Sequence, residues 1–113
     1  MRNIQRGDVL FVQLTDKYDH VQNGNRPCLV VQNNIGNTFS PTIIVVPLTS
    51  KMKKTNLPIH VVLEPKMMAL CECILTISKE QIMYYIKSFD GKTMKKIDDA
   101  LSISLEIQKE EII

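Results

Sequence analysis

The chain is predicted to fold as a small, strongly curved antiparallel barrel, mainly β, with one long helix at its C-terminus. Three observations carry this expectation. Short apolar, β-branched runs recur through the first two thirds of the sequence, punctuated by Gly, Pro, Asn and Ser. After Asp90-Gly91 the apolar residues return at helical spacing instead. The length of 113 residues suits one domain with its own core, taken here as residues 1–113.

The elements follow in order. Residues 8–14 (Asp-Val-Leu-Phe-Val-Gln-Leu) read as the first strand, and the polar stretch 15–25, with Gly24, as a long loop. Residues 27–33 and 42–48 are β-branched runs and read as strands, joined by turn chemistry at 34–41 (Asn-Ile-Gly-Asn-Thr-Phe-Ser-Pro). A basic loop occupies 50–57. Residues 59–64 alternate Ile59, Val61 and Leu63 against His60, Val62 and Glu64, the pattern of a half-buried strand, and 70–77 read as a fifth strand. Ser78 stands three residues before Gln81, as in a capping box, and predicts a short helix over 79–87 carrying Ile82, Met83 and Ile86. In residues 92–107, Met94, Ile97, Leu101 and Leu105 form the core-facing stripe of a terminal helix.

Composition narrows the setting. No hydrophobic run reaches membrane-spanning length and the N-terminus lacks a signal-peptide pattern, so a cytoplasmic protein is expected. Three cysteines cannot all pair within one molecule, and reduced thiols are the simplest reading. Cys71 and Cys73 would share one face of a strand as small apolar residues, with Glu72 on the other. The net charge is only +2, but residues 1–66 carry +4 and residues 67–113 carry −2. The basic part holds Arg26 and the Lys51, Lys53, Lys54 cluster, which suits an anionic partner on one face.

Two residues concentrate the chemistry. Asn23-Gly24-Asn25 delivers Arg26 to the start of one apolar run, and the next run ends in the hydroxyls of Thr49 and Ser50. If the two runs pair antiparallel, the short connection brings Arg26 and Thr49 to one place. A guanidinium beside a hydroxyl suits a phosphate better than it suits a core. The two histidines, His20 in the long loop and His60 on a strand, have no metal-ligand partner at usable spacing, so no metal site is expected.

The order Arg6-Gly7-Asp8-Val9, Asn25-Arg26-Pro27, Val30-Val31-Gln32-Asn33-Asn34 with Gly36-Asn37, Ser40-Pro41-Thr42, Leu48-Thr49-Ser50, Leu57-Pro58 and His60-Val61 resembles the MazF/PemK (Kid) toxin family. The resemblance implies an SH3-like barrel of the CcdB/MazF type, usually a homodimer. It also implies a ribosome-independent, sequence-selective endoribonuclease of a toxin–antitoxin pair, neutralised by a MazE-like antitoxin. Such an enzyme cuts single-stranded RNA by attack of the 2′-hydroxyl, leaving a 2′,3′-cyclic phosphate and a 5′-hydroxyl, with no cofactor. On this resemblance Arg26 and Thr49 match the catalytic pair, and Gln22, Ser50, Lys51 and Glu72 are candidate RNA contacts. Tyr18 and Phe39 are candidate platforms for stacked bases, while Tyr84 and Tyr85 are expected to pack a helix.

The sequence departs from the family where relatives commonly read Leu-Glu-Gln-Ile-Arg-Thr-Ile. Here Cys73 and Leu75 replace the Gln and the Arg, and Val21 replaces a glutamate beside Gln22. Those changes remove hydrogen-bonding groups, so no relative's cleavage motif transfers to this chain. Two other readings of the same barrel are a CcdB-like gyrase poison and an RNA-binding barrel that does not cut. The gyrase poisons usually carry bulky aromatics at the chain end, whereas this chain ends Lys109-Glu110-Glu111-Ile112-Ile113.

Overall fold

A computed structural model describes residues 3–14 and 24–108. Its element order is β1 (Asp8–Leu14), β2 (Gly24–Val30), α1 (Asn34–Phe39), β3 (Thr42–Thr49), β4 (His60–Glu64), β5 (Met67–Leu70), β6 (Leu75–Ser78), β7 (Ile82–Ser88) and α2 (Gly91–Ser104). The strands form one antiparallel sheet in the order β4-β5-β3-β2-β1-β7, with β6 paired to β3 beside that path. The mainly β architecture with a terminal helix is as expected. Among the described residues no ladder joins β4 to β7, so the barrel is not closed by backbone pairing. A salt bridge from Lys87 on β7 to Glu64 on β4 links the two end strands instead.

Alternation along the strands builds two cores. Val9, Leu29, Val46 and Leu48 join Val61, Ala69 and Cys71 under the buried face of α2, where Met94, Ile97 and Ala100 close the cluster. Leu10, Val12 and Leu14, with Cys28, Val30, Ile43, Val45 and Ile77, form the second cluster. Because side chains alternate with period two, the mostly buried stretches 9–12, 28–30 and 43–48 of β1, β2 and β3 are apolar on both faces. Strand β3 changes neighbours on one edge: Thr42 to Val45 pair with β6, and Leu48 and Thr49 pair with β5. Pro47 falls at this handover, where a residue without an N–H disturbs the ladder least.

The Arg-Gly-Asp segment locks the entry to β1. Gly7 adopts φ +98°, donates to the Val30 carbonyl at 2.9 Å and accepts from the Phe89 amide at 2.9 Å. A Cβ there would stand 2.9 Å from the Phe89 oxygen, so only glycine fits. Asp8 is buried, and its carboxylate accepts from the Gln5 amide and the Ser88 hydroxyl at 2.9 and 2.7 Å. Arg6 reaches across to the Val31 carbonyl and to Asp98 on α2.

Several sequence-level boundaries shift. The 79–87 segment is not a helix. The Ser78/Gln81 capping box is present, but it caps a three-residue 3-10 turn (Lys79–Gln81) that leads directly into β7. Strand β7 pairs with β1, matching Leu10 to Tyr85 and Phe11 to Tyr84, so Tyr84 stacks on Phe11 at 5.0 Å rather than packing a helix. The 34–41 turn contains α1, capped by the Asn33 side chain, which accepts from the Gly36 amide at 2.8 Å. The predicted 70–77 strand is broken after Leu70 by a turn closed by the Cys73 amide on the Leu70 carbonyl, so β6 starts only at Leu75. Strand β2 starts earlier than expected and includes Arg26 as its third residue. Helix α2 stops at Ser104, leaving Leu105 exposed outside the buried stripe. No helix among the described residues is long and apolar enough to cross a membrane.

Candidate functional site

The β2–β3 register makes the site. Cys28 pairs with Pro47, Leu29 with Val46 and Val30 with Val45. Two residues further along the same register, Arg26 falls opposite Thr49. Arg26 shares the face of Cys28 and Val30, and Thr49 that of Ile43 and Val45, so both stand at the rim of the second core. A cavity of about 250 Å³ opens there, lined by Arg26, Pro27, Leu48, Thr49, Ser50, Lys51, Lys66 and Met67.

Its chemistry is that of an anion receptor. The titratable side chains in the lining are one guanidinium and two ammonium groups, with two hydroxyls between them. The Nε of Arg26 is buried and has no hydrogen-bond partner. A buried donor without a partner is costly unless a ligand supplies the acceptor. The Cys28 thiol points to the Arg26 carbonyl at 3.8 Å and fixes the backbone below the guanidinium. The Lys51 amide donates to Thr49 Oγ1 at 3.1 Å. Because that oxygen accepts from the loop, the hydroxyl proton of Thr49 remains available to an incoming acceptor.

Cys73 is half-buried near Arg26. Burial raises its pKa first, Glu72 adds to the rise, and the Arg26 charge acts the other way. Burial likewise pushes Cys28 and Cys71 up to about 12. All three therefore stay thiols at neutral pH, and none competes with a phosphate for the guanidinium.

Of the sequence candidates, Arg26, Thr49, Ser50 and Lys51 line one cavity. Glu72 is outside that lining, in the turn between β5 and β6, where its carboxylate meets the His60 ring at 2.8 Å. Gln22, Val21, His20 and Tyr18 lie outside the described residues. Phe39 is largely exposed on α1 and does not line the cavity. Lys66 and Met67 were not anticipated. The proline turn at Pro65, read as a hairpin joining β4 to a strand beside β3, is the signal that would have brought Lys66 to the site.

Residues 5–105 match the family model described as PemK-like, MazF-like toxin of type II toxin-antitoxin system. The chain is 41% identical over 111 residues to endoribonuclease EndoA of Bacillus subtilis (strain 168), covering 92% of this chain and 96% of that relative. Among solved structures, an endoribonuclease in complex with its cognate antitoxin from a mycobacterial species is 25% identical, with a TM-score of 0.81 over 95% of this chain and 99% of that one. MazF of Deinococcus radiodurans, 18% identical, superposes with a TM-score of 0.83 over 95% of this chain and 100% of that chain.

Proposed function

The chain belongs to the PemK-like, MazF-like toxins of type II toxin–antitoxin systems, and on that premise we propose that it is a sequence-selective endoribonuclease that cuts single-stranded RNA without a metal ion. The observation that carries this reading is the placement of Arg26 opposite Thr49 in a cavity whose charged lining is wholly cationic. RNA supplies its own nucleophile. The 2′-oxygen attacks the adjacent phosphorus, the bond from phosphorus to the 5′-oxygen breaks, and the products are a 2′,3′-cyclic phosphate and a 5′-hydroxyl. The 2′-hydroxyl gives up one proton and the leaving oxygen takes one. The protein must align the attack and hold the charge that gathers on the phosphorane oxygens.

Arg26 offers a planar fork of donors to those nonbridging oxygens, and the unpartnered Nε gains its acceptor in the same step. The Thr49 hydroxyl, oriented by the Lys51 amide, donates to a phosphate oxygen and relays a proton. Lys51, Lys66 and Ser50 hold the flanking backbone phosphates. Guanidinium and ammonium groups repel a divalent cation, which wants carboxylate or carbonyl oxygens. Cutting of a naked RNA should therefore persist in excess chelator, and the upstream fragment should end in a cyclic phosphate. Activity lost in chelator and restored by a divalent ion contradicts the mechanism.

The same cavity suits a MazE-like antitoxin. An acidic, disordered segment would place carboxylates where RNA places phosphates and so exclude substrate. The exposed Met83, Tyr84, Tyr85 and Ile86 of edge strand β7 are the kind of apolar surface a homodimer buries. Sedimentation should give twice the mass of 12.9 kDa, and RNA should compete with the antitoxin for binding. A monomer that cuts at full rate, or RNA and antitoxin bound together, refutes this part of the reading.

A further inference from the structure

We propose that His60 is a positioning residue: its imidazole is a proton-dependent latch that holds the 50–59 loop, and with it Lys51, against the phosphate site. The inference rests on the reading of that site as an RNA-cutting centre. His60 opens β4 and its side chain is only 9% exposed. Its Nδ1 stands 3.0 Å from the Lys54 carbonyl, and its Nε2 stands 2.8 Å from Glu72 Oε2. A carbonyl only accepts, and an ionised carboxylate only accepts. Both contacts are hydrogen bonds only when both ring nitrogens carry a proton. In the neutral ring one nitrogen presents a lone pair to an oxygen, and one bond becomes a repulsion.

The carbonyl that the ring grips belongs to a strained residue. Lys54 adopts φ 55°, a left-handed conformation that side chains disfavour. The Lys54 carbonyl also accepts from the Leu57 amide, and the Leu57 carbonyl accepts from the His60 amide, at 3.2 and 3.0 Å. Thus the ring closes the loop on itself, and the same loop carries Lys51, whose amide orients Thr49. The titratable groups on the elements around the ring are Cys71 and Glu72 beyond β5, Lys51, Lys53 and Lys54 in the loop, Glu64 at the far end of β4 with its partner Lys87, and Lys92, Lys95, Lys96, Asp98 and Asp99 of α2, which packs against β4. Cys71, with its pKa raised to about 12, stays neutral, so Glu72 is the carboxylate within hydrogen-bond reach of the ring.

The direction follows from the two contacts. Both contacts need a proton on the ring nitrogen, so the doubly protonated ring closes the latch and loss of one proton opens it. A glutamine in place of Glu72 changes this. Its amide can donate to the bare nitrogen of a neutral imidazole, so both contacts survive at either protonation state.

The test uses the full chain and two readouts. Ring resonances of His60 locate its titration, with His20 assigned by His20→Gln. Amide hydrogen exchange gives protection factors at Lys51, Leu57 and His60. Protection in the parent protein should fall about tenfold across the titration, the size of a hydrogen bond to a charged group. In Glu72→Gln it should stay flat. Constant protection in the parent, or an equal fall in Glu72→Gln, overturns the latch. RNA cutting at low substrate should fall with protection in the parent, and its pH profile should flatten in Glu72→Gln. A profile that the substitution leaves unmoved, with the protection step present, overturns the link from latch to site. Absence of cutting at every pH, with the protection step present, refutes the nuclease reading and leaves the latch established.

Discussion

Arg26→Ala is expected to slow RNA cutting by about 100-fold or more while the protein stays folded. Loss of one preorganised donor to a developing oxyanion costs on the order of 2.7–4 kcal/mol in the barrier, and Arg26 presents a fork rather than a single donor. The fold should tolerate the change because the Nε contributes no internal hydrogen bond and is buried without a partner. Arg26→Lys is the informative companion. It keeps the charge and loses the planar fork, so activity that stays low in Arg26→Lys assigns the effect to geometry. Thr49→Ala should also cut poorly, since it removes the hydroxyl that the Lys51 amide orients. Rates on a defined single-stranded RNA, with circular dichroism to verify folding, decide the matter. Full activity in Arg26→Ala removes the site from consideration.

Ile97→Ala should lower stability by about 2–5 kcal/mol, the range for truncating a fully buried aliphatic side chain. Ile97 has no exposed surface and sits where α2 meets the strands, against the cluster of Val9, Leu29, Val46 and Leu48. Small domains have a total stability of about 5–15 kcal/mol, so the variant should melt on the order of 10 °C lower. Leu105→Ala is the control. Leu105 lies past the end of the helix and is exposed, so its truncation should change stability by about 0.5 kcal/mol or less. Thermal unfolding of both variants separates the two positions. Equal losses at Ile97 and Leu105 would mean that α2 is seated differently.

That contrast also marks how far the sequence carries. Met94, Ile97 and Leu101 were legible as a stripe because helical spacing is a strong signal, but the stripe alone does not say where the helix stops. The end is set by Glu106, which turns left-handed at φ 55°. The Arg26–Thr49 pairing was legible because a short connection between two apolar runs permits little besides an antiparallel pair. Strand β7 was not. Its residues are exposed or half-buried throughout, so burial imposes no period of two, and Ile82, Met83 and Ile86 fit a helix equally well on paper. Pairing with β1 decides it, and that is a tertiary fact. The break at residues 71–74 was hidden for a related reason. Cys71, Cys73 and Ile74 are apolar enough to read as strand, while the turn is defined by one backbone bond from Cys73 to Leu70. Lys66 escaped notice because its relevance depends on β5 lying beside the end of β3.

Arg26 and Thr49 meet through the rungs between β2 and β3, not through the segment that joins them. This has a consequence for descent. Residues 31–41 hold themselves together, with Gln32 and Asn37 buried and bonded to each other, but it is the rungs from Cys28 to Val30 that set the two groups opposite. A slip of a single rung would turn one of the two toward the opposite side of the sheet. The alignment of the two strands is thus what a line of descent must preserve for the pair to stay together.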